Sequence, residues 1–165
     1  MEEQNVTFDL LDKRNNAIVD ACAQLMSESE PWITLKRTFQ DVVELLEDDS
    51  SEVHVAKIGN QFIGFAIIKM QGAFVGYVQS IAIKRQFRHQ GIGKRFMRYL
   101  EDRIFSENPN VFICVSSFNP EAKRLYESLG YDIIGELKDY IVHGHSEILM
   151  RKTIAPLSEF RREKK

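Results

Sequence analysis

A chain of 165 residues, 44% hydrophobic and 28% charged, has the size and mixture of one globular domain with room for a core. Its net charge of −2 argues against wholesale coating of nucleic acid, and no stretch approaches the ~18 uninterrupted apolar residues of a membrane span. Cys22 and Cys114 are too few for a disulfide scaffold and sit in apolar patterns as buried thiols would. With an acidic start, MEEQNVTFDLL, that lacks a secretory or anchor pattern, they point to a reducing, cytoplasmic setting.

In chain order, residues 5–11 suit a short first strand. Ile18, Val19, Cys22, Leu25 and Met26 then recur at helical spacing behind Asn15 or Asn16 as cap. Pro31 and Trp32 break that pattern. Leu35, Phe39, Val42, Val43 and Leu46 form a second amphipathic stripe that ends in EDDSSE. VHVAKIGNQFIGFAIIKM holds two β-rich runs joined by Gly59-Asn60, a hairpin signal, and FVGYVQSIAI adds a third strand after Gly72. From Gly91 the period turns helical through Ile92, Phe96, Met97, Leu100 and Ile104. VFICVS is a continuous apolar run, as in a strand covered on both faces. Asn119-Pro120 opens a helix with Ala122, Leu125, Tyr126 and Leu129 on one face and Gly130 at its end. Two final strands flank a turn near Gly144, and residues 156–165 form a polar tail expected to fray beyond a domain of residues 1–155. The order β, α, α, β, β, β, α, β, α, β, β implies a mixed α/β (α+β) sheet with helices packed on its faces.

The segment KRQFRHQGIGKRFMRYL, residues 84–100, carries six lysines and arginines together with His89 and no acid. Gly91 and Gly93 stand where its helical pattern begins. The first N–H groups of a helix lack intrahelical partners and lie at the positive end of its dipole, so a helix start preceded by glycine cradles phosphate. In a helix each glycine otherwise costs up to about 1 kcal/mol relative to alanine. A pyrophosphate is a sufficient reason for two of them. The pattern is RxxGxG, neither the dinucleotide GxGxxG nor the GxxxxGK[ST] of the P-loop. RHQGIG resembles the (Gln/Arg)xxGx(Gly/Ala) motif at the strand-to-helix junction of the GNAT superfamily of acyl-CoA-dependent N-acetyltransferases. SIAIKRQFRHQGIGKRFM is similar to that family's strand, loop and helix, and NPEAKRLYESLGY, about thirty residues on, to its second motif. The likeness covers residues 53–152 well and 5–52 loosely.

The resemblance implies the GNAT fold: a central, mostly antiparallel sheet of six to seven strands, helices on both faces, and a V-shaped splay between strands 4 and 5. It implies acetyl-CoA as co-substrate, no metal, and direct attack by a primary amine in a ternary complex. The acceptor is left open between a peptide N-terminus, an amino acid, a lysine side chain and a small amine. By the same resemblance the pyrophosphate would lie on backbone N–H groups from Arg88, His89, Gln90, Gly91, Ile92, Gly93 and Lys94. Lys84, Arg85, Lys94 and Arg95 are candidates for the adenosine 3′-phosphate. The pantetheine would pair with the main chain of Ser80, Ile81, Ala82 and Ile83 and touch Asn119. The Ile81 N–H would polarise the acetyl carbonyl, and Tyr126 would protonate the departing thiolate. By spacing alone, Tyr126 also belongs to its helix's apolar stripe, and Asn119 is a sound N-cap.

The glutamates that branches of the family carry on the fourth or fifth strand are matched here by Tyr77 and Cys114. A water chain, or Gln79, His145 or Glu147, is left to take the amine's proton. His54, His89, His143 and His145 lack metal-ligand spacing. The helix pair and the last hairpin would face the acceptor with Trp32, Phe39, Tyr140, His143 and His145. A monomer or homodimer without nucleic-acid or membrane partners is expected. Two rivals stand beside this reading: a coenzyme A-binding sensor of the same fold without turnover, and a nucleic-acid module drawn by the basic run and Phe87. The last predicts strongly salt-sensitive DNA or RNA binding.

Overall fold

In the computed structural model, which describes residues 5–160, the chain runs β1 (Val6–Leu10), α1 (Asn16–Ser27), α2 (Phe39–Glu47), β2 (Ser51–Ile58), β3 (Gln61–Lys69) and β4 (Tyr77–Ile83). A short 3-10 turn at Arg85–Phe87 follows, then α3 (Ile92–Phe105), β5 (Asn110–Ser116), α4 (Pro120–Ser128), β6 (Asp132–Leu137) and β7 (Glu147–Thr153). The first four residues of the acidic start and the last five of the polar tail lie outside the described residues. The tail's preceding part makes a single turn, in which the Phe160 N–H donates to the Pro156 carbonyl at 3.1 Å.

Local chemistry sets the helix starts. Asn15 caps α1 by accepting from the Ile18 N–H. Thr38 and Asp41 form a capping box on α2: the Asp41 N–H donates to Thr38 Oγ1 at 3.1 Å, and the Thr38 N–H donates to the Asp41 carboxylate at 2.8 Å. That box starts the helix at Phe39, so Leu35, which fits the apolar stripe, is instead buried in the turn before it. The third strand begins at Tyr77, three residues later than its apolar pattern, because Gly76 turns the chain with a φ of 84°.

All seven strands join one sheet in the order β1-β2-β3-β4-β5-β7-β6. Every neighbouring pair is antiparallel except β4 and β5, which run parallel. β3 feeds two cores, alternating from Phe65 onward: Ala66 and Ile68, with Ile63 across a register shift, pack with α3 residues Phe96, Met97 and Leu100, while Phe65 and Ile67 pack with Cys22, Met26, Val42 and Leu46 of α1 and α2. Each of the larger aliphatic and aromatic side chains among them, fully buried, contributes about 1.5–3 kcal/mol, so the helices are clamped to opposite faces.

The α1–α2 layer ends at β4. On β5, Val111, Ile113 and Val115 enter the core beneath α3 and α4, whereas Cys114 and Ser116 point to the other side and line an open cleft. The VFICVS run is therefore covered by helices on one face only, a correction to the two-sided burial that its apolar composition suggests.

Two irregularities open that cleft. The register between β3 and β4 passes from Ile67↔Ser80 to Ile68↔Val78, leaving Gln79 as the extra residue of a bulge. The β4–β5 pairing holds only for Tyr77↔Phe112 and Val78↔Ile113, and beyond Val78 the two strands diverge. Gly76 stands at the root of the V, where its carbonyl accepts from the Phe112 N–H at 3.0 Å. A Cβ at Gly76 would collide with the Asn110 carbonyl oxygen and approach Ile104 Cγ2 to 2.7 Å, on a backbone already in the left-handed region. Gly76→Ala should therefore cost about 2–4 kcal/mol of unfolding free energy. Denaturant titration of the two proteins measures this, and a change below ~0.5 kcal/mol would mean that the root relaxes freely.

Candidate active site

The cleft has a volume of about 750 Å³ and runs from the start of α3, through the gap between β4 and β5, to two loops that wall its far end. Those loops are residues 28–38, contributing Trp32, Leu35 and Arg37, and residues 138–146, contributing Tyr140 and Ile141. The second connection is thus a nine-residue arm over the site rather than a tight turn at Gly144.

At the near end, α3 differs from the other α-helices. Asn15, Thr38 and Asn119 cap α1, α2 and α4 with side chains, but α3 begins at Gly91 with no side-chain cap. Its first turn also contains Lys94 and Arg95 and no acid, the wrong sign of charge for the positive end of a helix dipole. Packing within the chain does not call for the glycines either. A Cβ on Gly91 would meet nothing within 4 Å, and one on Gly93 only Leu125 Cδ2 at 3.8 Å. Gly91 does hold a φ of 76°, which turns the chain into the helix.

Of the residues singled out in the sequence, Arg88, His89, Gly91, Gly93 and Lys94 line the cleft here. Gln90 and Ile92 do not: the Gln90 amide donates to the Gln86 carbonyl, and the Ile92 side chain is buried in the core. The basic run is dispersed. Lys84 lies 5.3 Å from the Phe62 ring centre, Arg88 Nε donates to the Ile83 carbonyl at 2.8 Å, and His89 stands 3.3 Å from Glu121. Lys94 lines the cleft, while Lys84, Arg85 and Arg95 do not.

Along the gap, Ile81, Ala82 and Ile83 line the cleft, and from Gln79 onward β4 has no strand neighbour on its β5 side. Antiparallel pairing to β3 uses alternate backbone groups, so the others face the opening. Arg88 occupies the Ile83 carbonyl, leaving the stretch around Ile81 as the free edge. Tyr126 and Asn119 close the opposite wall. The Tyr126 ring is 6% exposed and packs in the α3–α4 core, and burial pushes its phenol well above the usual range. The Asn119 side chain accepts from the Ala122 N–H at 3.3 Å as helix cap while bordering the cleft.

The far end gathers polar groups from three strands. Tyr77 on β4 faces the Cys114 thiol on β5, and Glu147 on β7 accepts a 2.6 Å hydrogen bond from Ser116 Oγ on β5. Burial raises the pKa of Tyr77, of Cys114 and of Glu147; the Ser116 hydroxyl pulls Glu147 the other way. Trp32 and Tyr140 line this end, but Phe39 does not. His143 is exposed beside Asp139, and His145 packs edge-on against Phe118 at 4.7 Å. Sequence reasoning missed Ser116 and Arg37. Ser116 could have been found from its even spacing to Cys114 on the strand, whereas no local signal marks Arg37. Among the described residues no group of three or more His, Cys, Asp or Glu could hold a metal ion, and no helix is long and apolar enough to cross a membrane.

Residues 19–131 match the Acetyltransferase (GNAT) family. The chain belongs to that family. It is 29% identical over 108 residues to the catalytic subunit of an N-terminal acetyltransferase B complex from Arabidopsis thaliana, a match covering 62% of each protein. An uncharacterized N-acetyltransferase from Methanocaldococcus jannaschii is 32% identical over 101 residues, covering 60% of this chain and 64% of that one. An N-alpha-acetyltransferase from Sulfurisphaera tokodaii is 26% identical over 123 residues, 66% of this chain and 72% of that one. The first two matches thus span a little under two thirds of those relatives' lengths. The GNAT architecture recurs in an aminoglycoside 6′-N-acetyltransferase complexed with coenzyme A, with TM-score 0.72 and 20% identity over 91% of this chain and 98% of that one. It recurs also in the ribosomal-protein-S18-alanine N-acetyltransferase of Escherichia coli, with TM-score 0.72 and 18% identity over 93% and 97% of the two chains.

Thiol chemistry reports the geometry directly. Burial lifts Cys22 to about 12 and Cys114 in the same direction, so little thiolate exists on either at pH 8. In native protein, Cys22 should resist iodoacetamide until unfolding, and Cys114 should react at least ~10-fold more slowly than free cysteine. Mass-spectrometric labelling rates check both, and rapid labelling of Cys22 in the folded state would contradict its burial.

Proposed function

We propose that this protein is an acetyl-CoA-dependent N-acetyltransferase acting on a primary amine in a ternary complex, with residues 1–155 as the catalytic domain. The observation that carries the proposal is the coincidence of an uncapped, glycine-led helix start and an unpaired strand edge in one cleft. The first offers backbone N–H groups and positive potential to a pyrophosphate, and the second offers main-chain pairing to an amide-bearing arm. Lys94 is the cation best situated for a further phosphate, whereas Lys84 is already engaged with Phe62. Dispersal of the other cations speaks against a nucleic-acid stripe.

In this reading the N–H groups of Gly91, Ile92, Gly93 and Lys94 hold the pyrophosphate, the Ile81 edge aligns the pantetheine, and Asn119 touches it from the opposite wall. The thioester is already reactive, so the chain's task is alignment, stabilisation of the developing oxyanion by the Ile81 N–H, and delivery of a proton to the departing sulfur. Tyr126 is the candidate donor. Its raised pKa keeps the phenol protonated at neutral pH, as a general acid requires. The acceptor enters from the loop-walled end past Trp32 and Tyr140. One of the relatives is named an N-terminal acetyltransferase and another an N-alpha-acetyltransferase, which supports a peptide α-amine as the acceptor.

Gly91→Glu sets a carboxylate over the phosphate cradle. The left-handed φ there costs about 1–2 kcal/mol, leaving the domain folded, while acetyl-CoA affinity should fall at least ~100-fold. Calorimetry on the folded variant measures it, and unchanged affinity would move the pyrophosphate elsewhere.

Tyr126→Phe keeps the packed ring and removes its hydroxyl. Turnover should drop ~10²–10⁴-fold with acetyl-CoA affinity within a few-fold of wild type, because the proton is needed mainly in the transition state. A variant with more than about half of wild-type kcat, where chemistry limits the rate, would leave Tyr126 as a core residue only.

A further inference from the structure

Glu147 opens β7 opposite Ser116, is 4% exposed and lines the cleft. Its carboxylate accepts the Ser116 hydroxyl, and among the described residues no lysine, arginine or histidine forms an ion pair with it. The other buried glutamate, Glu101, is by contrast matched by Lys152 at 2.8 Å. The groups interacting with Glu147 are Tyr77 from β4 and Cys114 and Ser116 from β5, none of them cationic, and Tyr140 from the 138–146 loop approaches Tyr77. A second acceptor lines the same cleft: Gln79, on the β4 bulge, has a buried Oε1 with no hydrogen-bond partner. Buried acceptors without donors are costly, and a carboxylate without a cation more so. Both costs vanish when an ammonium group, with one positive charge and three N–H donors, arrives.

We propose that Glu147 receives the ammonium of the acceptor and takes its proton, directly or across one water, with Gln79 Oε1 accepting a second N–H to hold the nitrogen. The inference deepens the acetyl-transfer reading and rests on it. One N–H bond of the ammonium breaks, its proton passes to Glu147, and the freed lone pair forms the C–N bond to the thioester carbonyl. The C–S bond then breaks with its electrons on sulfur, which takes the Tyr126 proton. The nitrogen's remaining excess proton returns to the Tyr126 oxygen through water, and Glu147 releases its own to solvent, so one proton is liberated per amide formed. Burial, which raises the carboxyl pKa, also makes Glu147 a stronger base than an exposed glutamate. The two other candidates fall away: His145 packs edge-on against Phe118 and does not line the cleft, and the Gln79 amide has no basic site.

The test is kcat/KM against pH for the full chain with acetyl-CoA and a panel of unblocked peptides and small amines. For wild type, activity falls as pH drops through the Glu147 pKa, and that acid limb lies above the ordinary carboxylate value of 4.5. Glu147→Gln, which keeps an acceptor for Ser116, should lower kcat/KM ~10²–10³-fold at neutral pH and abolish the limb, with acetyl-CoA affinity within two-fold by calorimetry. Ser116→Ala keeps the carboxylate but removes the bond that favours its charged form, so it should move the limb to higher pH. A merely structural Glu147 would leave the limb where it is in that variant, so Ser116→Ala decides the matter even if Glu147→Gln fails to fold. An unmoved limb in Ser116→Ala, or a Glu147→Gln enzyme within three-fold of wild type, overturns this role while leaving acetyl transfer intact. Failure of the wild type to acetylate any amine while still binding acetyl-CoA overturns the enzymatic reading itself, and this role with it.

Discussion

The site depends on a parallel strand pairing that is only two residue pairs long. Were β4 and β5 paired along their full length, the backbone groups around Ile81 would be consumed by β5. The divergence is stable because each strand is held by a different neighbour: β4 pairs with β3 and feeds both cores, and β5 pairs with β7 and feeds the core under α3 and α4. Pairing to β3 on one side and to β7 on the other holds the V open, and Gly76 keeps its root closed. A bulge at Gln79 bends β4 at the place where pairing stops.

The cleft is also electrostatically divided. Its near end presents mainly donors: the uncapped N–H groups of α3, with Lys94 and Arg88 beside them and Glu121 next to His89. Past the gap, on the strands, stand acceptors: the Gln79 oxygen and the Glu147 carboxylate, among phenols and a thiol that burial keeps protonated, with Arg37 on the loop wall opposite in sign. A substrate anionic at one end and a second substrate cationic in its resting state would each be drawn to the proper side, and they would meet at the strand gap. The gradient needs no large net charge, which accords with a chain carrying 22 basic and 24 acidic residues.

Several residues serve stability and the cleft together. Tyr126 fills core volume beneath α4 while lining the opening, and Asn119 caps the same helix while bordering it. Such sharing fixes the orientation of a side chain, because the packing that stabilises the fold is also what holds the group in place. It also means that a substitution here must be read for stability and activity together.

The sequence by itself determined the order of the elements, and with it the family, because hydrophobic period, caps and glycines act within a few residues of one another. Asn119-Pro120, RHQGIG and the alternating strands carry their structural meaning locally. Only the tertiary structure decided which groups share a site. Glu147, Ser116 and Gln79 lie far apart in sequence on three strands, and nothing local distinguishes an unpaired buried carboxylate from a solvated one. The nine-residue arm carrying Tyr140 reads as strand leading to a turn near Gly144 because Tyr140, Ile141 and Val142 are β-formers, and its place over the cleft comes from the strands on either side of it. Likewise VFICVS could not reveal that one face would stay uncovered, since that depends on how far α1 and α2, encoded much earlier at residues 16–27 and 39–47, extend across the sheet. Burial and charge pairing are sums over the whole fold, so they become legible only once the chain has closed upon itself.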